Sequence, residues 1–251
     1  MPQIPTAVRT LDTELREVFG SRVQSFVVYG IHTREAQHRH ADGDHGQSHG
    51  HDAVRPVHTL AVVESVRSDD LRACAARLSK WRDAGLATPL LLASDEFARS
   101  LDVFPFELNA ILADHVVVSG RNPFEGLRVD AADLRRACEV QARGHLLHLR
   151  QAFIETEGRG DALAVVVVRS APAWASLLQN VAHLDGQAAH DPAAAARHIE
   201  RALTVTSGIE EVVRLVGVHE ISSADALKVF PAYLDAAERL TRYVDQWSAV
   251  K

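Results

Sequence analysis

Val23-Gln-Ser-Phe-Val-Val-Tyr29, closed by Gly30, and Val57-His-Thr-Leu-Ala-Val-Val63, opened by Pro56, decide how the first half of this chain folds. Both stretches are β-branched and aromatic, which suits a pleated surface, and both are bounded by turn formers. They read as two neighbouring, largely buried strands. Toward the N-terminus, Val8, Leu11, Leu15, Val18 and Phe19 recur at helical spacing before Gly20, which predicts a helix from Thr6. Downstream, Ser68 reads as the cap of a helix that buries Leu71, Cys74, Ala75, Leu78 and Trp81 and ends near Gly85. Thr88 to Ala93 reads as a third strand, Ser94-Asp-Glu-Phe97 as the start of a short helix, and Phe104-Pro-Phe-Glu-Leu108 as an extended segment. His115 to Ser119 is a further strand before the breaker Gly120-Arg-Asn-Pro123.

Past Gly126 the character changes. The stretches 130–157, 161–184, 192–206 and 222–248 are rich in alanine and leucine at helical spacing, with almost no strand signal. In the last of them Leu227, Phe230, Leu234, Ala237, Leu240, Val244 and Trp247 form a stripe suited to bundle packing. The expected fold is therefore α+β: a mixed sheet with flanking helices over residues 1–127, followed by an all-α helical bundle over 128–251. An exposed apolar face on such a bundle would suit a homodimer or a protein partner.

At 251 residues and 47% hydrophobic content, the chain can bury one large core or two moderate ones. A formal charge of -6 gives no reason to expect nucleic acid or an anionic membrane as the main partner. Cys74 and Cys138 lie far apart and lack metal-ligand spacing, so no disulfide framework is expected. The N-terminus lacks the basic start and apolar run of a signal peptide, and the expected location is cytoplasmic. Leu163-Ala-Val-Val-Val-Val168 is apolar, but Arg169 and Pro172 follow it closely, so it reads as buried core rather than a membrane span.

Between the two strands lies an insertion at about 37–56 that carries His38, His40, His45, His49 and His51, with Asp42, Asp44 and Asp52 among them. Imidazole is the commonest protein ligand for borderline metals, and Gly43, Gly46 and Gly50 let a backbone wrap around an ion. His-x-His spacing in an extended segment sets two imidazoles on one side. Nickel, zinc, copper or cobalt is the expected metal class. A solvated insertion without a ligand, or a cluster that charges together near pH 6.5, uses the same residues.

The order helix, strand ending Tyr29-Gly30, loop, strand Leu60-Ala-Val-Val63, helix, strand resembles the nucleotidyltransferase domain of the DNA polymerase beta type. Phe26-Val-Val-Tyr-Gly-Ile-His-Thr-Arg-Glu-Ala36 is similar to that family's strand-Gly-Ser-x-x-Arg-Gly-x-Ala pattern at Tyr29, Gly30, Arg34 and Ala36. Later words, Leu101-Asp-Val-Phe-Pro-Phe-Glu107 and Val117-Val-Ser-Gly-Arg-Asn-Pro-Phe124, resemble a bacterial subgroup of nucleotidyltransferase-like proteins with a helical second domain. The resemblance implies a nucleotide-binding site at Gly30, Ile31 and Arg34, in which Ile31 replaces the usual Ser or Gly. It also implies an Asp-x-Asp pair holding magnesium, but the matching positions here are Val57 and Thr59, and Thr88-Pro-Leu-Leu-Leu92 offers no third acid. Magnesium is not expected there. Three functions follow: a catalytically degenerate nucleotidyltransferase-fold protein that binds a nucleotide or partner, a metal-binding protein using the histidine loop, or an active enzyme that recruits Asp42, Asp44, Asp52 or Glu64. Whether the chain is an enzyme is left open by the missing Asp-x-Asp.

Elsewhere, Arg143, His145, His148 and Arg150 suggest a small basic strip on one helix, read first as a solvated face and second as a phosphate site. Ser207-Gly-Ile lacks the spacing of a nucleophile elbow. Trp81, Trp174 and Trp247 read as core or interface anchors.

Overall fold

The computed structural model describes residues 4–30, 56–187 and 191–248. It divides into two compact units, Met1–Val129 and Asp130–Lys251. The chain is α+β, with its one four-stranded sheet, among the described residues, in the first unit.

The first unit runs α1 (Thr6–Phe19), β1 (Val23–Tyr29), β2 (His58–Val63), α2 (Ser68–Ala75), α3 (Leu78–Asp83), β3 (Leu90–Ala93), α4 (Ser94–Ala98), α5 (Pro105–Ala113) and β4 (His115–Gly120). The sheet order is β3-β2-β1-β4. β1 is antiparallel to both of its neighbours, and β2 and β3 are parallel. The β2 to β3 connection contains α2 and α3, as a parallel crossover requires. Because side chains alternate across a strand, β1 and β2 feed two cores. Phe26, Val28, Ala61 and Val63 pack with Leu11, Leu15, Cys74 and Trp81 from α1 to α3. Val27, Leu60 and Val62 pack with Phe97, Leu108, Ile111 and Phe124 on the other side.

Two charged contacts tie the first layer together. Arg22, in the short turn after α1, donates to both carboxylate oxygens of Asp70 at 2.7 and 2.6 Å and to the Ser65 carbonyl at 2.9 Å. Asp70 also accepts the Arg67 amide at 2.9 Å, which makes Arg67 and not Ser68 the residue before the helix start. These donors, Arg22 foremost, hold the Asp70 carboxyl below its ordinary range. Glu14 of α1 accepts from Trp81 Nε1 at 2.6 Å and pairs with Lys80.

Several boundaries differ from the sequence reading. The helix expected from Ser68 to Gly85 breaks at Ala76-Arg77 into α2 and α3, and Leu71 is 50% exposed rather than buried. Phe104 is non-helical, as a residue before proline prefers, but Pro105 then opens α5 in the first turn, where amide hydrogens have no partner within the helix. The segment read as extended is therefore a helix start. β3 begins at Leu90, where pairing to Leu60 begins.

The second unit contains α6 (Ala131–Glu155), α7 (Gly160–Leu184), α8 (Pro192–Leu203), α9 (Glu210–Val213) and α10 (Ser223–Gln246). Asp130, Asp191 and Ser222 cap α6, α8 and α10 by accepting amide hydrogens of the first turn. α7 is the central helix, packed by α6, α8, α9 and α10. The helix runs through Arg169 and Pro172, as the helical spacing over 161–184 predicts, with Pro172 on its exposed side. By length and composition α7 is apolar enough to cross a membrane, yet Leu163, Val167, Ala171, Trp174 and Leu178 are buried within the bundle. In α10 the buried stripe is Phe230, Tyr233, Ala237, Leu240 and Val244, while Leu227 is 51% exposed.

Asp185, just past α7, joins three helices. It accepts from Tyr243 Oη at 2.9 Å, Trp247 Nε1 at 3.1 Å and His198 Nε2 at 2.8 Å. Burial and the Asp185 carboxylate push the Tyr243 phenol up to about 12.

Replacing Asp70 with Asn leaves the Arg22 guanidinium without its bidentate partner in a largely enclosed setting. A lower urea midpoint is expected, because the guanidinium loses its counter-charge while staying in place. Urea denaturation of wild type and Asp70→Asn measures it.

Candidate functional site

The place where the sequence sets its site is the end of β1. Gly30 has φ +72, and among the described residues a Cβ there would meet nothing within 4 Å, so no described atom closes that side of the backbone. Its amide donates to the Asp114 carbonyl at 2.9 Å, which fixes the end of β1 to the turn before β4. Of the three residues implied for the nucleotide, only Gly30 is described. Ile31 and Arg34 lie outside the described residues, as do His38, His40, His45, His49, His51 and the aspartates Asp42, Asp44 and Asp52.

The register puts Tyr29 opposite both His58 of β2 and His115 of β4. Directly paired residues share a face, so a phenol flanked by two imidazoles lines this end of the sheet. The Tyr29 and His58 rings are 5.6 Å apart, and burial pushes the Tyr29 phenol up. His115 is held in place: Nδ1 lies 3.0 Å from the Leu112 carbonyl, Nε2 3.2 Å from Asn122 Oδ1, and its ring lies against Phe124.

The other face of β2 answers the question of the missing aspartates. Val57 and Thr59 are 8% and 1% exposed, and Val57 belongs to the core beneath α1 to α3, the side to which Thr59 also points by alternation. Among the described residues the Thr59 hydroxyl has no hydrogen-bond partner. His58, between them, is exposed on the opposite face. Glu64 follows Val63, which pairs with Val23, and so stands at the far end of the sheet from Gly30. Seven strand residues separate the ends of β1, which places Glu64 roughly 20 Å away. Among the described residues, no three His, Cys, Asp or Glu side chains converge to hold a metal.

In the second unit the expected basic strip comes apart. Arg143 pairs with Glu139 and Asp245, and Arg150 pairs with Glu238. Residues two apart on a helix do not face each other, so His145 turns away from Arg143 and inward. Its Nε2 is 2.5 Å from Tyr233 Oη, Tyr233 donates to Ser170 Oγ at 3.1 Å, and Ser170 donates to the Val167 carbonyl at 3.0 Å. The imidazole stacks on Trp174 at 5.2 Å. Sequence reading missed Ser170 and Tyr233, whose only signal was a hydroxyl at an otherwise apolar helical position; no local spacing connects residues 145, 170 and 233.

No protein-family model matches the chain, and no curated protein is significantly similar to it in sequence.

Burial, with His148 adding to it, lowers the His145 pKa from 6.5 to about 4. Between those values the unfolded chain binds a proton that the folded chain does not, so stability rises with pH in this window and is lost on acidification. A shift of that size is worth roughly 3 kcal/mol at most. The charged or titratable groups around the ring are His148 on α6, Arg169 on α7 and Tyr233 on α10. In denaturation at a series of pH values between 6.5 and 4, His145→Gln is expected to show a shallower loss of stability than wild type. Equal slopes would remove His145 as the cause.

Proposed function

We propose that this chain is a nucleotidyltransferase-like protein that does not transfer nucleotides, and that it serves as a binding protein for a nucleotide or partner at the Gly30 end of the sheet. One observation carries the non-catalytic part: the strand positions that the resemblance aligns with Asp-x-Asp, Val57 and Thr59, face a helix-packed core. A carboxylate there would lie beneath α1 to α3, whereas two-metal transfer needs oxygen ligands directed at ions in an open cleft. The element order from α1 to β3 supports the family reading, and the Cβ side of Gly30, which no described atom closes, supports close approach of a ligand to the backbone. Glu64, the one described carboxylate nominated for a substitute centre, stands at the other end of the sheet from Gly30, which supports the non-catalytic reading.

With magnesium and each labelled nucleoside triphosphate, the purified protein is expected to transfer no label, while equilibrium dialysis detects ATP binding that Gly30→Val weakens. Metal-dependent transfer abolished by one carboxylate substitution, such as Asp44→Asn, would overturn the proposal.

A second reading has its own observation. The histidine-bearing segment leaves and re-enters the sheet at residues 29 and 58, which are paired across β1 and β2, so both of its ends are anchored on rigid strands. In this reading His38, His40, His45, His49 and His51 hold nickel, zinc, copper or cobalt. Calorimetry with nickel and with zinc is expected to show binding tighter than about 1 mM that disappears when residues 37–53 are deleted. Unchanged binding after deletion would exclude it.

A further inference from the structure

A groove of about 290 Å³ runs between α6 and α7. Its α6 side presents His145, His148, Leu149 and Ala152, and its α7 side Val166, Arg169 and Ser170. These spacings, of three and four residues, put each set on one helix face. The lining therefore combines an apolar strip with one guanidinium, two imidazoles and a hydroxyl, and among the described residues it contains no carboxylate.

Of the arginines on α6 and α7, Arg169 differs from those around it. Arg135, Arg143 and Arg150 all have carboxylate partners. Arg169 has none among the described residues, although the bundle supplies acids to the other three. An exposed arginine is by itself a common solvated side chain. Arg169, however, lines a groove whose deeper polar groups are already fixed. Tyr233 bridges His145 and Ser170, so neither side chain has to be ordered when a ligand enters. Trp174 backs the imidazole.

We propose that this groove binds a small organic anion: an apolar body of a few carbon atoms with a single carboxylate. The carboxylate meets Arg169 and His148, and the body lies on Leu149, Ala152 and Val166. Arginine pairs with carboxylates through parallel hydrogen bonds, which favours this head group. The volume sits at the lower edge of the ~300–1,000 Å³ typical of ligand sites, so the occupant is smaller than a nucleotide. Because Arg169 is exposed, solvent screens its charge and the affinity for a minimal ligand is modest.

The test is a titration of the full chain with butanoate at constant ionic strength, followed through the imidazole proton resonances of His145 and His148. Butanamide, with the same body and no charge, and inorganic phosphate, with charge and no body, are titrated in parallel. Butanoate is expected to saturate with a dissociation constant on the order of a few millimolar. Arg169→Gln should weaken it at least about fivefold, by removing a charge-assisted hydrogen bond. Ala152→Leu, which fills the groove, should abolish it, and Arg150→Gln, whose cation is paired elsewhere, should leave it unchanged. Circular dichroism confirms that each variant is folded. Absence of saturation by roughly 50 mM, ten times the expected constant, would overturn the proposal. So would an affinity unchanged in Arg169→Gln, or binding of butanamide or inorganic phosphate as tight as that of butanoate.

Discussion

Burial of β1 and β2 on both faces is the constraint from which the first unit follows. A strand with helices on each side has no spare surface: Phe26 and Val28 belong to one core, Val27 to the other, and the same division runs through β2. Parity then decides what each position can do. A shift of one residue in β2 would bring His58 under α1 to α3 and expose Thr59, so the register that suits packing also determines which chemistry is accessible. Residues available to a ligand are confined to the strand ends, where Tyr29, His58 and His115 lie in a row. The Arg22–Asp70 pair secures one helical layer over this sheet, but it is the sheet that makes the layer necessary.

The strands and long helices were legible in the sequence because period-two and period-3.6 patterns are local. What could not be read was nonlocal or depended on competition between rules. Phe104-Pro105 satisfies both the preference of a pre-proline residue for extended backbone and the preference of proline for a helix start, and only packing of Leu108 and Ile111 resolves it. The face of β2 was legible as alternation, but which side the helices cover was not. Spacing suggested a basic strip on α6, whereas the acids that dissolve it, Asp245 and Glu238, lie about a hundred residues away. The nucleotide positions at Ile31 and Arg34 and the histidine cluster rest on sequence alone, and Gly30 is the one member of either set with a defined place.

The second unit handles its polar groups differently from the first. On its outside Arg135, Arg143 and Arg150 are matched to carboxylates, while inside it a histidine, a tyrosine and a serine form a chain against Trp174. Polar chains of this kind in a low-dielectric setting stabilise only when each member is satisfied. Here the chain ends on a backbone carbonyl at Val167, which removes the last hydroxyl donor from the account. The cost falls on His145, which keeps its place by remaining neutral.

The contact around Asp185 has a consequence for how this sequence can drift. One acceptor serves donors from α8 and from the end of α10, and each donor has a single role toward it. Losing His198, Tyr243 or Trp247 leaves the carboxylate with other partners. Losing the carboxylate leaves several donors unmatched at once. Substitutions can therefore accumulate among the donors one at a time, while the acceptor is held by all of them together. Across divergent copies of this bundle, an acid at position 185 should outlast any one of the aromatic or imidazole side chains that now point to it.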